Sequence, residues 1–158
     1  MKIACGWDHR GRVFADELRE CIESLGHEFV AMGAETDESS DYPDFAFRVG
    51  EAVSRDECDR GVLLCGTGNG MAMSANKVPG IRAALAWDVE SARLSRAHND
   101  ANVLAIGEQF ATGPILRAIL EAWLATAHEG GRHERRVHKI RDYERRLAGR
   151  GELSLIHI

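Results

Sequence analysis

Short apolar runs alternate with amphipathic stretches along most of the chain. Five runs are apolar at nearly every position, which is typical of strands buried on both faces of a sheet, at residues 2–6, 28–32, 61–65, 82–86 and 102–106. The amphipathic stretches predict helices over residues 14–25, 45–53, 69–76, 89–97 and 114–127. Because strands and helices alternate, the pattern predicts an α/β fold, a three-layer α/β/α sandwich with a five-stranded parallel sheet.

A further helix is predicted at the C-terminal side, over residues 132–147, after Gly130 and Gly131 interrupt the helical pattern. Its apolar residues form one narrow stripe, so we expect it to pack on a surface of this chain or of a partner subunit, through Val137, Ile140, Tyr143 and Leu147. Residues 1–148 are predicted to form a single domain. Residues 149–158 are interpreted as a tail, either unstructured or a product of cloning.

Composition and charge narrow the class of protein. Hydrophobic residues make up 44% and charged residues 28%, which is an ordinary globular balance, and no apolar run approaches the ~20 residues of a membrane helix. The net charge is −5, although residues 130–150 carry eight Lys/Arg against three Asp/Glu, so the remainder is strongly acidic. An acidic body argues against nucleic acid as a partner. Four widely spaced cysteines predict free thiols and a cytoplasmic location.

Candidate chemistry follows from the rule that ligands gather at the carboxyl ends of parallel strands. The stretch 65–70 is the most informative, since three alternating glycines between a strand and a helix allow backbone N–H groups to surround an anion. Its spacing matches neither a dinucleotide fingerprint nor a Walker A loop. Cys65 opens this loop, where a helix N-terminus favours a thiolate. The other cysteines are interpreted as buried and inert: Cys5, Cys21 and Cys58.

Three other features carry possible chemistry. His98 ends a predicted helix at the opposite edge from Cys65, and the residues alone leave a capping role and a functional role equally open. Arg132 and Arg136 share one helical face, an arrangement that suits a phosphate monoester. Histidines five residues apart do not converge on a helix, so we expect no metal site at His128, His133 and His138.

Six sequence blocks, in order along residues 1–146, carry a resemblance: residues 6–9, 41–43, 65–70 with 75–77, 80–83, 98–102 and 130–133. They closely resemble the type B ribose-5-phosphate isomerase family, which includes galactose-6-phosphate isomerase subunits. The resemblance implies a Rossmann-like fold, a sugar-phosphate substrate and neither metal nor organic cofactor. It also implies a homodimer, or alternatively a tetramer, with active sites between subunits.

The resemblance also implies residue roles. Cys65 is the base that moves a proton between C1 and C2 through a cis-enediolate, Thr67 assists it, and His98 helps to open the sugar ring. The loop amides hold the enediolate oxygen, Asp8 lies near the ring oxygen and hydroxyls, and cationic side chains bind phosphate. The implied substrate-binding set is Asp8, His9, Tyr42, Gly66, Gly68, Asn69, Gly70, Asn99, Arg132 and Arg136.

Three positions depart from the family pattern. Some members carry a glutamate base where this chain has Met71, so Cys65 is left as the base. Ribose-specific members commonly have arginine at the position of Gln109, and the bulky Trp7 is expected to narrow the pocket. The substrate therefore stays open between ribose 5-phosphate, a tetrose phosphate such as erythrose 4-phosphate, and a hexose 6-phosphate. An alternative of another class is a flavodoxin-like nucleotide-binding module.

Overall fold

The computed structural model describes residues 1–154, with side chains to residue 149. Its strands are β1 Lys2–Trp7, β2 Glu28–Ala31, β3 Arg60–Cys65, β4 Ala83–Ala86 and β5 Val103–Gly107. Its α-helices are α1 Ala15–Ser24, α2 Tyr42–Ser54, α3 Asn69–Ala75, α4 Val89–Asn99, α5 Pro114–Ala125 and α6 Arg132–Ser154. Each predicted strand and helix is confirmed, most with ends shifted by one to three residues.

The five strands form one parallel sheet in the order β2-β1-β3-β5-β4. Helix α5 contacts α1 and α4 along one face, and α2 packs with α3 on β1 and β3 at the other. This arrangement confirms the three-layer Rossmann-like sandwich. The chain moves outward from β1 to β2 and then returns to β3 on the other side of β1. The carboxyl ends of β1 and β3 therefore flank the topological switch point, where ligands bind in open parallel sheets.

The core lies along the central strands. Residues 3–7, 61–65 and 103–107 are buried, as expected for strands covered by helices on both faces. Among the largest fully buried side chains, Leu116, Ile119, Leu120 and Trp123 come from α5, which explains why that helix is the most apolar of the chain. The rigid centre of the sheet holds the strand ends in place, so the loops beyond them start from fixed positions.

Helix α6 is longer than the sequence pattern indicates. The predicted tail began at residue 149, which lies inside this helix, and residues 155–158 lie outside the described residues. The helix is held to the body by Arg141, which pairs with Asp100 at 3.1 Å, and by Glu144, which accepts the Gly80 N–H at 2.9 Å. Of its apolar stripe, Val137 is buried while the rest stands exposed: Ile140, Tyr143 and Leu147. None of the helices between residues 1 and 154 is long and apolar enough to cross a membrane.

Candidate active site

Cys65 is the last residue of β3 and lies at the switch point. Gly6 pairs with Leu63 and Trp7 with Leu64, so alternation places Cys65 on the face that Gly6 and Leu63 share, which α2 covers. Its side chain is 6% exposed. The sulfur accepts a hydrogen bond from the N–H of Gly68 at 3.1 Å. A backbone donor at this distance stabilises negative charge on the sulfur.

The other three thiols lie in surroundings that disfavour a negative charge on the sulfur. All four cysteines are free and buried. Burial is the main cause that raises the pKa of Cys5 well above its ordinary value, and it raises the pKa of Cys21 and of Cys58. These three side chains are therefore held as neutral thiols, in agreement with their interpretation as inert.

The glycine loop, residues 65–70, is shaped by close packing against neighbouring side chains. Gly68 has φ +80°, and a Cβ there would lie 2.5 Å from Cδ1 of Leu85. A Cβ at Gly70 would lie 2.6 Å from the ring of Tyr42, so this tyrosine rests directly on the loop. Thr67 is exposed, and its hydroxyl accepts the N–H of Asn69 at 3.4 Å. The predicted residues of the loop and Tyr42 thus form one contiguous group.

The loop after β1 brings two further predicted residues to the same edge. The Asp8 carboxylate is buried and accepts the backbone N–H groups of Arg10 and Gly11, each at 3.0 Å, which starts the 3₁₀ turn Gly11–Phe14. Nδ1 of His9 accepts the N–H of Ser40 at 3.2 Å, and Ser40 Oγ accepts the His9 N–H at 3.0 Å. A neutral His9 accepting at Nδ1 carries its proton on Nε2, and can therefore donate to an anion. Ser40 was not found from sequence.

The expectation that Trp7 narrows the pocket is wrong. Its indole is buried on the other face of the sheet, where it donates to the carbonyl of Ala34 at 3.0 Å and stacks 6.0 Å from Phe29. The physical reason is the period-two alternation of a strand, which turns Trp7 and Cys65 to opposite faces. The indole also fills the space above Gly33, where a Cβ would lie 2.1 Å from the ring.

A cavity lies beside the glycine loop. It measures about 650 Å³ and is lined by Thr67, Asn69, Leu85, Ala86, Trp87, Gln109 and Phe110. Trp87 and Phe110 are exposed although they are large aromatic residues. Gln109 donates its backbone N–H to the carbonyl of Gly66 at 3.3 Å, so the β5 loop lies directly beside the glycine loop.

The remaining predicted residues lie at the other edge of the sheet. The imidazoles of His98 and His133 are stacked with ring centres 4.0 Å apart. Glu129 lies 3.6 Å from Nε2 of His98 and 3.8 Å from Nε2 of His133, and Arg132 donates to His133 at 3.3 Å. Asn99 and Arg136 are exposed nearby on α4 and α6. Glu129 had no sequence signal of its own.

This second cluster has the residue types of a metal site, but its geometry does not fit one. The two imidazole planes are within 1° of parallel, and nitrogen lone pairs lie in the ring planes, so one ion cannot lie in both planes. Arg132 also places a cation against the nitrogen that a metal would need. Burial, with His98 and Arg132 nearby, lowers the pKa of His133. The cluster is better suited to bind or protonate an organic anion.

The two groups of residues are separated by the length of the sheet. Helix α4 starts beside the carboxyl end of β4 and ends where Arg82, before that strand begins, donates to the carbonyls of Asn99 and Asp100. A five-residue strand spans about 16 Å, so His98 and Cys65 of one chain do not meet. Within the described residues, one chain therefore holds two separate groups of predicted site residues, which we call half-sites.

Comparison with known proteins places this geometry in a family. The model of the family described as Ribose/Galactose Isomerase matches residues 3–140 of this chain. Ribose-5-phosphate isomerase B of Escherichia coli is 43% identical over 145 residues, covering 92% of this chain and 97% of that protein. The structure of Clostridium thermocellum ribose-5-phosphate isomerase B is similar with a TM-score of 0.90 at 46% identity, covering 93% of this chain and 99% of that chain.

A third similar structure contains a ligand. Ribose-5-phosphate isomerase B of Mycoplasma genitalium, solved with bound ribulose 5-phosphate, has a TM-score of 0.87 at 39% identity and covers 91% of this chain and 96% of that one. These matches extend over nearly the whole domain and set aside the nucleotide-binding alternative. The chain belongs to the ribose/galactose isomerase family and is an aldose–ketose isomerase.

Proposed function

We propose that this chain interconverts ribose 5-phosphate and ribulose 5-phosphate, with Cys65 as the base. The observation that carries the proposal is the 3.1 Å hydrogen bond from Gly68 N–H to the Cys65 sulfur, at the switch point of the sheet. It is supported by similar proteins named ribose-5-phosphate isomerase B. The sugar is thus a pentose phosphate, bound above the ends of β1 and β3.

The proposed reaction needs no external oxidant. In the open-chain aldose, the Cys65 thiolate removes the proton from C2, the electron pair forms a C1–C2 double bond, and the C1 oxygen takes the negative charge. In this proposal the amides of Gly66 and Gly70 stabilise this oxyanion. A proton then moves from O2 to O1, and the thiol returns its proton to C1. C1 is reduced and C2 is oxidised, so atoms and charge balance.

The half-site that contains His98 acts before this proton transfer. His98 exchanges a proton with the ring oxygen of the cyclic sugar and opens it, while Glu129, 3.6 Å away, orients the imidazole. Arg132 and Arg136, together with His9, bind the phosphate as charge-assisted donors. Asp8 orients the sugar hydroxyls near Cys65, and Thr67 assists in the proton transfer.

A second copy of the chain completes each site in this proposal. The two half-sites of one chain face opposite edges of the sheet, so His98 and Arg132 reach Cys65 only from a partner. The exposed residues Ile140, Tyr143 and Leu147 give α6 an apolar surface that a partner can cover. We therefore propose a homodimer. We also propose a cytoplasmic location, because four free thiols suit a reducing compartment.

The base is tested with Cys65→Ala. Removal of the general base should lower kcat for ribose 5-phosphate by about 10²- to 10⁴-fold, while the sugar phosphate still binds. The matched control is Cys58→Ala, a buried thiol at the opposite edge, which should keep its activity. Alkylation of the wild type should reproduce the loss, with ribose 5-phosphate protecting. A loss below about tenfold would contradict the role of Cys65.

The substrate is tested separately by comparing kcat/KM for ribose, erythrose and allose phosphates with the purified chain. Ribose 5-phosphate should give the highest value. A higher value for the six-carbon or four-carbon sugar would move the proposal to that substrate and leave the role of Cys65 intact.

A further inference from the structure

Arg10 lies against the glycine loop at the carboxyl edge of the sheet. Its Nε, Cζ and Cδ atoms are 3.3, 3.4 and 3.6 Å from the position that a Cβ would occupy on Gly66. Gly66 directly follows Cys65, so a guanidinium group covers the first residue of the loop. Neither the spacing of the motif nor the resemblance assigned a role to this side chain.

Glu108 holds the Arg10 guanidinium in this position. Its Oε1 lies 3.1 Å from Nη2 of Arg10, and its side chain is 17% exposed while that of Arg10 is 53% exposed. Glu108 is itself fixed, because its backbone N–H donates to the carbonyl of Cys65 at 2.9 Å. Within the described side chains, Glu108 is the one acceptor of this guanidinium, which has five N–H donors. Several donors are therefore free for a ligand.

The Arg10–Glu108 pair is not explained by folding stability, because ion pairs between partly exposed side chains add little to the free energy of unfolding. A sugar phosphate does give a reason, because its phosphate needs cationic donors at fixed distance from the reacting carbons. On the neighbouring loop, Gln109 is neutral, and Arg132 and Arg136 belong to the opposite half-site. At this edge Arg10 supplies a cation, which lies against Gly66, the residue directly after Cys65.

We propose that Arg10 binds the phosphate group of the substrate and sets its affinity, with Glu108 fixing the guanidinium and weakening its charge. This inference rests on the proposed function for the identity of the sugar. Guanidinium groups pair with phosphate through two parallel N–H bonds, which a glutamine or lysine cannot reproduce.

The test compares Arg10→Gln with Arg12→Gln. Arg12 forms a similar pair, 3.0 Å from Asp37, but its Nε donates to the Glu35 carbonyl beside the cavity under Trp7, on the face away from Cys65. Arg10→Gln should raise KM for ribose 5-phosphate about 10- to 100-fold with kcat within about twofold, because phosphate contacts persist from ground state to transition state. Arg12→Gln should leave both constants unchanged.

Binding of inorganic phosphate, measured by calorimetry, separates this proposal from the proposed function, because it needs no turnover. Arg10→Gln should weaken phosphate binding by a similar factor, and Glu108→Gln should strengthen it by removing a nearby negative charge. Wild-type protein that binds no phosphate, or binding that Arg10→Gln leaves within twofold, would overturn the inference. Equal losses in the Arg10 and Arg12 variants would also overturn it. Failure of ribose 5-phosphate turnover with these phosphate effects intact would instead count against the sugar alone.

Discussion

The four cysteines are chemically identical residues, but the neighbours of each sulfur give them different surroundings. Burial raises the pKa of Cys5 and Cys58 and keeps them neutral, whereas Cys65 lies at a strand end with the Gly68 N–H directed at its sulfur. The same contrast applies to the histidines. His9 is held by Ser40 beside Cys65, and His98 is stacked on His133 at the other edge. The contacts of each histidine therefore suit the separate task that we propose for it.

The proposed task of His98 is tested by changing the substrate as well as the side chain. His98→Asn should lower kcat/KM for ribose 5-phosphate, which closes to a ring, by about 10²-fold or more because a general acid–base group is lost. It should spare erythrose 4-phosphate, whose terminal oxygen is esterified and which therefore forms no stable ring. Steady-state kinetics with both sugars is the measurement. Equal losses on the two sugars would show that His98 has a different task.

The proposed site residues that lie in local motifs can be predicted from the sequence, whereas residues brought in by tertiary contact cannot. Cys65 and its glycines are recognisable because a strand end, a glycine pattern and a helix start are adjacent in sequence. Ser40 and Glu129 carry no pattern of their own. Trp7 adjoins Asp8 in the sequence, but strand alternation turns its indole into the core and away from the pocket. Adjacency in sequence therefore does not predict which face of the sheet a side chain occupies.

At the scale of elements, the apolar runs predicted the five strands well because each central strand is buried on both faces. The ends of the strands and helices were less predictable, because they depend on side-chain hydrogen bonds that the periodicity of the sequence does not reveal. The Asp8 carboxylate starts the 3₁₀ turn Gly11–Phe14, which the pattern does not predict because the predicted helix begins only at residue 14. Asp100, with φ +48°, ends α4 by accepting hydrogen bonds from Arg82 and Arg96.

The packing of α6 on α4 leads to a prediction about pH. His133 lies buried between these helices, facing His98 from α4, Glu129 from the preceding loop, and Arg132 and Arg136 from its own helix. Burial is the largest cause that lowers its pKa, while Glu129 acts in the opposite direction. The unfolded chain therefore takes up this proton first as the pH falls below about 6.5, and the folded state loses stability until the pH passes the lowered pKa.

His133→Gln removes this titration, so its Tm should fall less than that of the wild type between about pH 7 and pH 5. The control is His138→Gln, an exposed histidine five residues further along α6, which leaves His133 in place. It should keep the wild-type slope. Thermal unfolding across this pH range is the measurement, and a His133→Gln slope equal to that of the wild type would contradict the assignment.

At the scale of the whole molecule, the parallel sheet separates the proposed site residues into two half-sites at its opposite edges. Every strand directs its carboxyl end to the Cys65 edge, and every returning helix ends at the His98 edge. In the proposed homodimer, a symmetric partner joins the two sets of residues, and each copy gives one half-site and receives the other. On this proposal, activity is a property of the pair of chains.

Mixing two inactive variants tests this arrangement. Cys65→Ala disables one half-site and Arg132→Ala the other, so a hybrid dimer contains one doubly damaged site and one intact site. Random pairing makes half of the dimers hybrids, and co-expression should restore about a quarter of the wild-type activity per chain. The matched control combines Cys65→Ala with His9→Ala, which lie at the same edge, so that no hybrid site is intact and activity should stay low. Equal activity in the two mixtures would mean that each chain forms its site alone.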